Sequence, residues 1–305
     1  MASGVVSTEH PLYVGTFTGG AIEQACVGEA DLIVLIGLDP VELIRKPWTY
    51  RASVLDISEI ARQPHYLKPE QRMLGPLPYA LSVLISEEAA ASPQSTWTSQ
   101  RIAAHRESIL AGLQIETMDE LSSSAVVSVA ADAFQGRPRL SVDAGAHMFS
   151  ACAFWPARQA RDILISNGLA TMGFAIPAGI AAALHDPTRG ALAMTGDGGA
   201  LMCLGELKTA VQVDAKLCII VFNDGRLSLI DIKREERQMP DLGLSWQCVD
   251  FAAIAAGFGF RTWQATTIEQ FAAACYDAYR YNGPSLIDVR IGSSGYLEQM
   301  KALRG

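Results

Sequence analysis

The sequence predicts an α/β protein built on a doubly wound, mostly parallel sheet. Two short, unbroken apolar runs, at 191–195 and 217–222, have the character of strands buried on both faces. Between them, Cys203, Leu207, Ala210 and Val211 recur at helical spacing, so the stretch reads as one βαβ unit. Strand and helix patterns keep alternating to the end of the chain, as they do where helices cover both faces of a parallel sheet.

The chain has 305 residues, enough for about two domains, and half of them are hydrophobic. Its formal charge is −8 and no Lys/Arg cluster appears, which argues against nucleic acid or an anionic membrane as partner. Six scattered cysteines form no Cys-x-x-Cys pair; Cys203 and Cys218 lie inside apolar patterns, where reduced buried thiols are expected. The first residues lack a basic segment followed by an apolar one. No apolar run approaches the roughly 18 residues of a membrane span. A soluble cytoplasmic protein is expected.

In chain order, 1–66 reads as one α/β piece. Its buried strands are at 31–37 and 52–57, separated by loop punctuation at Gly37-Leu38-Asp39-Pro40 and Lys46-Pro47-Trp48. Residues 67–115 carry Pro69, Pro76, Pro78 and Pro93 and an Ala/Ser-rich stretch at 89–95. They read as a linker with a short helix near 79–87 and a second at 99–113, whose charges form a solvated face. The larger domain spans 116–305. A helix is expected at 118–134, a strand at 139–143, and an Ala-rich helix ending near His185 after the small-residue stretch 166–179. Residues 226–245 are rich in charge and then in turn formers, so a solvated loop is expected. Helices at 249–257 and 267–281, the latter capped by Thr266 or Thr267, alternate with strands at 259–263 and 284–291.

The two strands of the central βαβ unit end in Gly196-Asp197-Gly198-Gly199 and Asn223-Asp224-Gly225. Right-handed crossovers bring both ends to one edge of the sheet, where open α/β sheets bind ligands. Gly198 and Gly199 let backbone N–H groups approach a ligand at a helix start, whose dipole favours negative charge. Asp197 and Asp224 repel each other there unless a cation lies between them. Mg²⁺ takes a few carboxylate or carbonyl oxygens together with phosphate oxygens. Either turn alone reads as an ordinary tight turn; paired, they read better as a site for a metal-bridged diphosphate. Gly145-Ala146-His147-Met148 follows the strand at 139–143, and a lone His in apolar surroundings is more often structural than functional. The small residues of 166–179, Gly168 and Ala170 among them, permit close approach of helix to sheet or of ligand to loop, and packing is the simpler reading.

These residues resemble the cofactor motif of thiamine diphosphate-dependent enzymes, in their acetolactate synthase-like branch. The resemblance implies a thiamine diphosphate-binding fold over 116–305, preceded by part of a Rossmann-like central domain over 1–66. It implies that Asp197, Asp224 and the Arg226 carbonyl bind Mg²⁺, with Gly196, Gly198, Gly199 and Asn223 beside the cofactor. Asp224 stands where many relatives carry Asn. The stretch 166–179 is similar to a Gly-x-Gly-x-Met-Gly segment, with Ala170 replacing the second Gly. Met172 then props the cofactor in a bent shape, the Ala170 carbonyl and its neighbours bind the aminopyrimidine, and Gly145 and His147 lie alongside. The segment after Asp224 closes over the substrate.

The same resemblance implies action on a 2-keto acid by decarboxylation or carboligation. It also implies a partner: relatives carry a pyrimidine-binding domain whose Glu protonates the aminopyrimidine and activates the cofactor, and no residue here matches that Glu. The chain is therefore expected to be a cofactor-binding component working in a homo- or hetero-oligomer with such a domain, its open face apolar. The alternative is a truncated, non-catalytic thiamine diphosphate-binding protein.

Overall fold

In a computed structural model, which describes residues 3–44, 46–62, 67, 69–88, 95–117, 120–166, 168–241 and 243–305, the two central apolar runs are neighbouring parallel strands. The contacts divide the chain into two units, Val14–Ile109 with Ala302–Gly305, and Met1–Tyr13 with Leu110–Lys301.

The smaller unit begins with a single helical turn, α1 (Gln24–Val27). A three-stranded parallel sheet follows in the order β1 (Leu32–Ile36), β2 (Ser53–Ser58), β3 (Gln71–Leu74). Helices α2 (Leu77–Glu88) and α3 (Ser99–Leu113) come next. Leu35, Val54 and Leu67 form a small core. Two expectations change here. The stretch expected as linker supplies β3, and β1 is not buried on both faces: it is an edge strand whose Leu32, Val34 and Ile36 are exposed. An apolar run cannot distinguish a covered strand from one with a bare face. Most of the Ala/Ser-rich stretch, 89–94, lies outside the described residues.

The larger unit opens with α4 (Ser123–Ala133), which starts later than the expected 118; residues 118–119 themselves lie outside the described residues. Ser122 caps it by accepting the Ala125 N–H, which fixes the start. Then come β4 (Arg139–Val142), α5 (His147–Phe154), β5 (Ile163–Ile165), α6 (Ala175–His185) and β6 (Ala191–Gly196). Helices α7 (Asp197–Met202) and α8 (Glu206–Gln212) lead to β7 (Leu217–Asn223), followed by α9 (Ser228–Glu236) and α10 (Phe251–Phe258). β8 (Arg261–Ala265), α11 (Ile268–Arg280), β9 (Ser285–Arg290) and α12 (Tyr296–Arg304) complete the chain.

All six strands of this unit pair in parallel, in the order β5-β4-β6-β7-β9-β8. One core lies between the sheet and α4, α5, α11 and α12; the other lies under α6, α8 and α10. The doubly wound sheet is therefore present, with β9 inside it rather than at its edge. The helix expected between β6 and β7 is two helices. Gly205 and the non-helical Cys203 break it, and Cys203 turns its thiol back to the Gly199 carbonyl at 3.3 Å. The charged segment after Asp224 holds α9 rather than loop alone, its Leu229 and Ile232 packed on the core. Among the described residues, no helix is long and apolar enough to cross a membrane.

Candidate functional site

The sheet order reverses at β4. The chain leaves β4 toward β5 and then crosses to β6 on the other side, so the connections that follow β4 and β6 diverge to opposite faces. That opens a crevice at their carboxyl ends. Three strand ends meet this edge with a carboxylate each: Asp143 after β4, Asp197 after β6 and Asp224 after β7. The register, with Met194 opposite Val142 and Gly196 opposite Phe222, makes them neighbours along the edge.

Asp197 is buried in the first turn of α7. Its Oδ1 accepts the Gly198 N–H at 2.7 Å and its Oδ2 the Gly225 N–H at 2.8 Å. Gly225 can present that N–H because its φ is 71°, a left-handed conformation that costs glycine little. Burial, and then the charge of Asp224, push the Asp197 carboxyl up to about 7. Burial also raises Asp224, opposed by a hydrogen bond from the Ser228 hydroxyl and by the Arg226 amide.

Beside them, Arg226 forms an antiparallel bridge with Ser245 in which Leu227 N–H and Gly225 C=O make the hydrogen bonds. The Arg226 carbonyl is left without a donor among the described residues. Its guanidinium is tied to Asp231 of α9 at 3.4 Å. A buried and a half-buried carboxylate, crowded together, and a free carbonyl make an oxygen-only donor set that suits a hard cation such as Mg²⁺. Among the described residues, no three His, Cys, Asp or Glu side chains are grouped to hold a metal by themselves. A cation here needs backbone and ligand oxygens, and Mg²⁺ accepts these.

Asp143 is the residue that the sequence reading missed. Its Oδ1 accepts the N–H groups of Phe174 and Ala175, at 2.6 and 2.7 Å, at the start of α6, and its Oδ2 accepts the Thr195 hydroxyl. A Cβ on Gly199 would collide with that Oδ2. Gly199 is thus required by Asp143, not only by a ligand. The signal was available: the strand at 139–143 ends in a carboxylate, as the other two do.

Asp143 also anchors the turn that carries Met172. The Met172 Cε reaches within 3.2 Å of where a Gly198 Cβ would stand, and Leu227 and Trp246 close on the same point. His147 is buried against Phe222, the ring centroids 5.1 Å apart, and its Nε2 has no partner among the described residues. Gly145 and Gly196 both border its ring. Asn223 turns its side chain away from the crevice: its Nδ2 donates to Asp288 and to the Val249 carbonyl, both at 2.8 Å. Gly168 stands in the open, with φ 81° and no described atom within 4 Å of where a Cβ would stand. Ala170 has φ 49°, so the methyl group occupies a conformation suited to glycine, and its carbonyl accepts no hydrogen bond among the described residues. Of the expected site residues, Gly145, His147, Met172, Gly196 to Gly199, Asp224 and Arg226 therefore converge, while Gly168 and the Asn223 side chain do not.

A fold and crevice of this kind define a cofactor-binding α/β domain. Residues 143–289 match the family described as thiamine pyrophosphate enzyme, C-terminal TPP binding domain. The family holds thiamine diphosphate with Mg²⁺. The chain is 31% identical over 180 residues to YdaP of Bacillus subtilis (strain 168), described as thiamine pyrophosphate-containing, covering 59% of this chain and 31% of that protein. It is 24% identical over 273 residues to an acetolactate synthase of the same organism, covering 87% and 48%. It is 27% identical over 308 residues to the acetolactate synthase isozyme 1 large subunit of Escherichia coli (strain K12), covering 95% and 53%. The chain thus spans about half the length of these synthases, and less of YdaP.

Two outcomes follow from this geometry. Ala170→Gly trades relief of the left-handed strain, about 1–2 kcal/mol, against about 0.5–1 kcal/mol of added chain entropy. Urea denaturation should therefore show the variant as stable as the wild type or more so; a loss near 1 kcal/mol would mean that position 170 carries no strain. Burial lowers His147 to about 4, against the opposing pull of Asp143, from an ordinary value of 6.5. A base with a depressed folded pKa stabilises above its unfolded value, and that contribution is lost as pH falls from 6.5 through about 4. The stability of His147→Gln, measured by denaturation across this window, should fall less steeply than that of the wild type; equal slopes would refute the assignment.

Proposed function

We propose that this chain binds thiamine diphosphate through Mg²⁺ held by Asp197, Asp224 and the Arg226 carbonyl, and serves an acetolactate synthase-like reaction on 2-keto acids together with a pyrimidine-binding domain. The observation that carries the reading is the pair of carboxylates at adjacent strand ends, Asp197 buried and Asp224 half-buried, beside an unused carbonyl. A cation there removes a repulsion that the fold otherwise bears.

When bound, thiamine diphosphate supplies the electron sink for breaking or making a bond next to the 2-keto carbonyl. The chain's own residues hold and orient it. The start of α7 presents backbone N–H groups toward the diphosphate end, where the helix dipole favours negative charge. Met172, Leu227 and Trp246 wall the crevice and exclude water, and the Ala170 carbonyl is free to accept a proton donor from the ring end. Asn223 steadies the end of β7 through its hydrogen bonds to Asp288 and the Val249 carbonyl.

None of the three strand-end carboxylates is free to activate the cofactor. Asp143 is committed to Phe174, Ala175 and Thr195, Asp197 to Gly198 and Gly225, and Asp224 to Ser228. A further domain that brings a Glu meets this need. Exposed Leu169, Met202, Ile230 and Met239, on segments that follow β5, β6 and β7, give such a domain an apolar surface to cover.

Titration calorimetry tests the metal assignment. Asp197→Ala should weaken Mg²⁺-dependent cofactor binding at least about tenfold, about 1.4 kcal/mol, while Asp224→Asn should be milder because an amide oxygen still coordinates. Unchanged binding in Asp197→Ala would remove the assignment.

The partner is tested by pyruvate consumption with thiamine diphosphate and Mg²⁺. The purified chain should be inactive alone and active once a pyrimidine-binding domain is added. Turnover by the chain alone would overturn the need for that domain, and binding without turnover under any pairing would favour the non-catalytic reading.

A further inference from the structure

A cavity of about 670 Å³ lies at the opposite edge of the sheet from the carboxylates, where β4, β6, β7 and β9 begin. Its lining contains four cations, Arg137, Arg158, Arg189 and Lys216, against one carboxylate, Asp162. In a chain of net charge −8 this is a local reversal of sign.

Part of that charge has a structural use. Arg158 pairs with Glu9 and donates to the Gln135 and Gly136 carbonyls. Arg189 binds Asp162 at 2.7 Å and the Arg137 carbonyl at 2.6 Å, and Lys216 donates to the Thr188 carbonyl at 2.9 Å. Donors remain after these bonds are made. The Arg137 guanidinium is exposed and has no partner among the described residues, and Arg189 Nη1 is buried without one. Lys216 has N–H groups to spare. The lining also holds two tyrosines: Tyr279, edge-on to Phe134 with ring centroids 5.9 Å apart, and Tyr281, whose ring carries the Arg261 guanidinium at 5.4 Å.

Cations with donors to spare and two tyrosine rings in one lining can together recognise an anion that carries an aromatic body. The volume is that of an ordinary small-molecule site. We propose that this cavity binds a nucleoside phosphate, its phosphates on Arg137 and Lys216, its base against Tyr279. The site is separate from the crevice of the proposed cofactor and does not depend on that reading.

ADP is a suitable probe, but its diphosphate could also enter the Asp197–Asp224 crevice with a metal. The titration therefore uses the full chain in EDTA, with ADP, adenosine and inorganic phosphate compared, in the wild type and in Arg137→Ala, Lys216→Ala and Asp197→Ala. Saturable ADP binding is expected, tighter than adenosine or phosphate and weakened by added salt. Each of Arg137→Ala and Lys216→Ala should weaken it about tenfold, the loss of one charge-assisted hydrogen bond; Arg137→Ala should leave the melting temperature unchanged, because its guanidinium has no partner among the described residues, whereas Lys216→Ala also loses the bond to the Thr188 carbonyl. Asp197→Ala should have no effect. Absence of ADP binding in EDTA, phosphate binding as tight as ADP, or ADP binding lost in Asp197→Ala but kept in Arg137→Ala would each overturn the proposal.

Discussion

The parallel pairing of β6 with β7 is the constraint on which the site depends. It is a backbone ladder of apolar residues, and nothing in its hydrogen bonds concerns chemistry. Its register nevertheless decides that the Gly-Asp-Gly and Asn-Asp-Gly turns emerge side by side. Two carboxylates are then confined where water is scarce, and their charge is opposed mainly by backbone N–H groups from Gly198, Gly225 and Arg226. Such an edge is unfavourable by itself and favourable when a cation arrives. The fold carries the cost in advance, in the manner of a preorganised site.

Around that pair the neighbouring strand does a second task. Asp143, at the end of β4, is used up in holding the first turn of α6 and the Thr195 hydroxyl. The three carboxylates thus divide their roles by their partners, since all three occupy equivalent strand ends. Removing the Asp143 hydrogen bonds would free the turn that carries Ala170 and Met172, although neither touches it.

Most of the strands and the paired turns were legible in the sequence, because unbroken apolar runs and Gly-Asp turns are local signals, whereas β3 and β5 are too short to stand out. What was not legible depends on the partners of each element. The run at 32–36 is as apolar as that at 217–222, yet β7 has neighbours on both sides and β1 does not. The segment after Asp224 looked like solvated loop because its charges outnumber its apolar residues, while Leu229 and Ile232 suffice to seat α9. The partner of the Asn223 side chain is likewise not local: buried Asp288, from a strand 65 positions later, accepts from its Nδ2. The strain at Ala170 is a matter of φ alone and leaves no mark in composition.

The bare strand β1 has its own consequence. Leu32, Ile33, Val34, Leu35 and Ile36 contain neither charge nor proline, and one side of the strand has no hydrogen-bonded neighbour in its sheet. Natural sheets blunt such edges with lysine, bulges or a covering segment. This one carries none of the sequence devices, so its protection has to come from whatever packs over it. Left uncovered, such an edge is a template on which a further strand can add to the sheet.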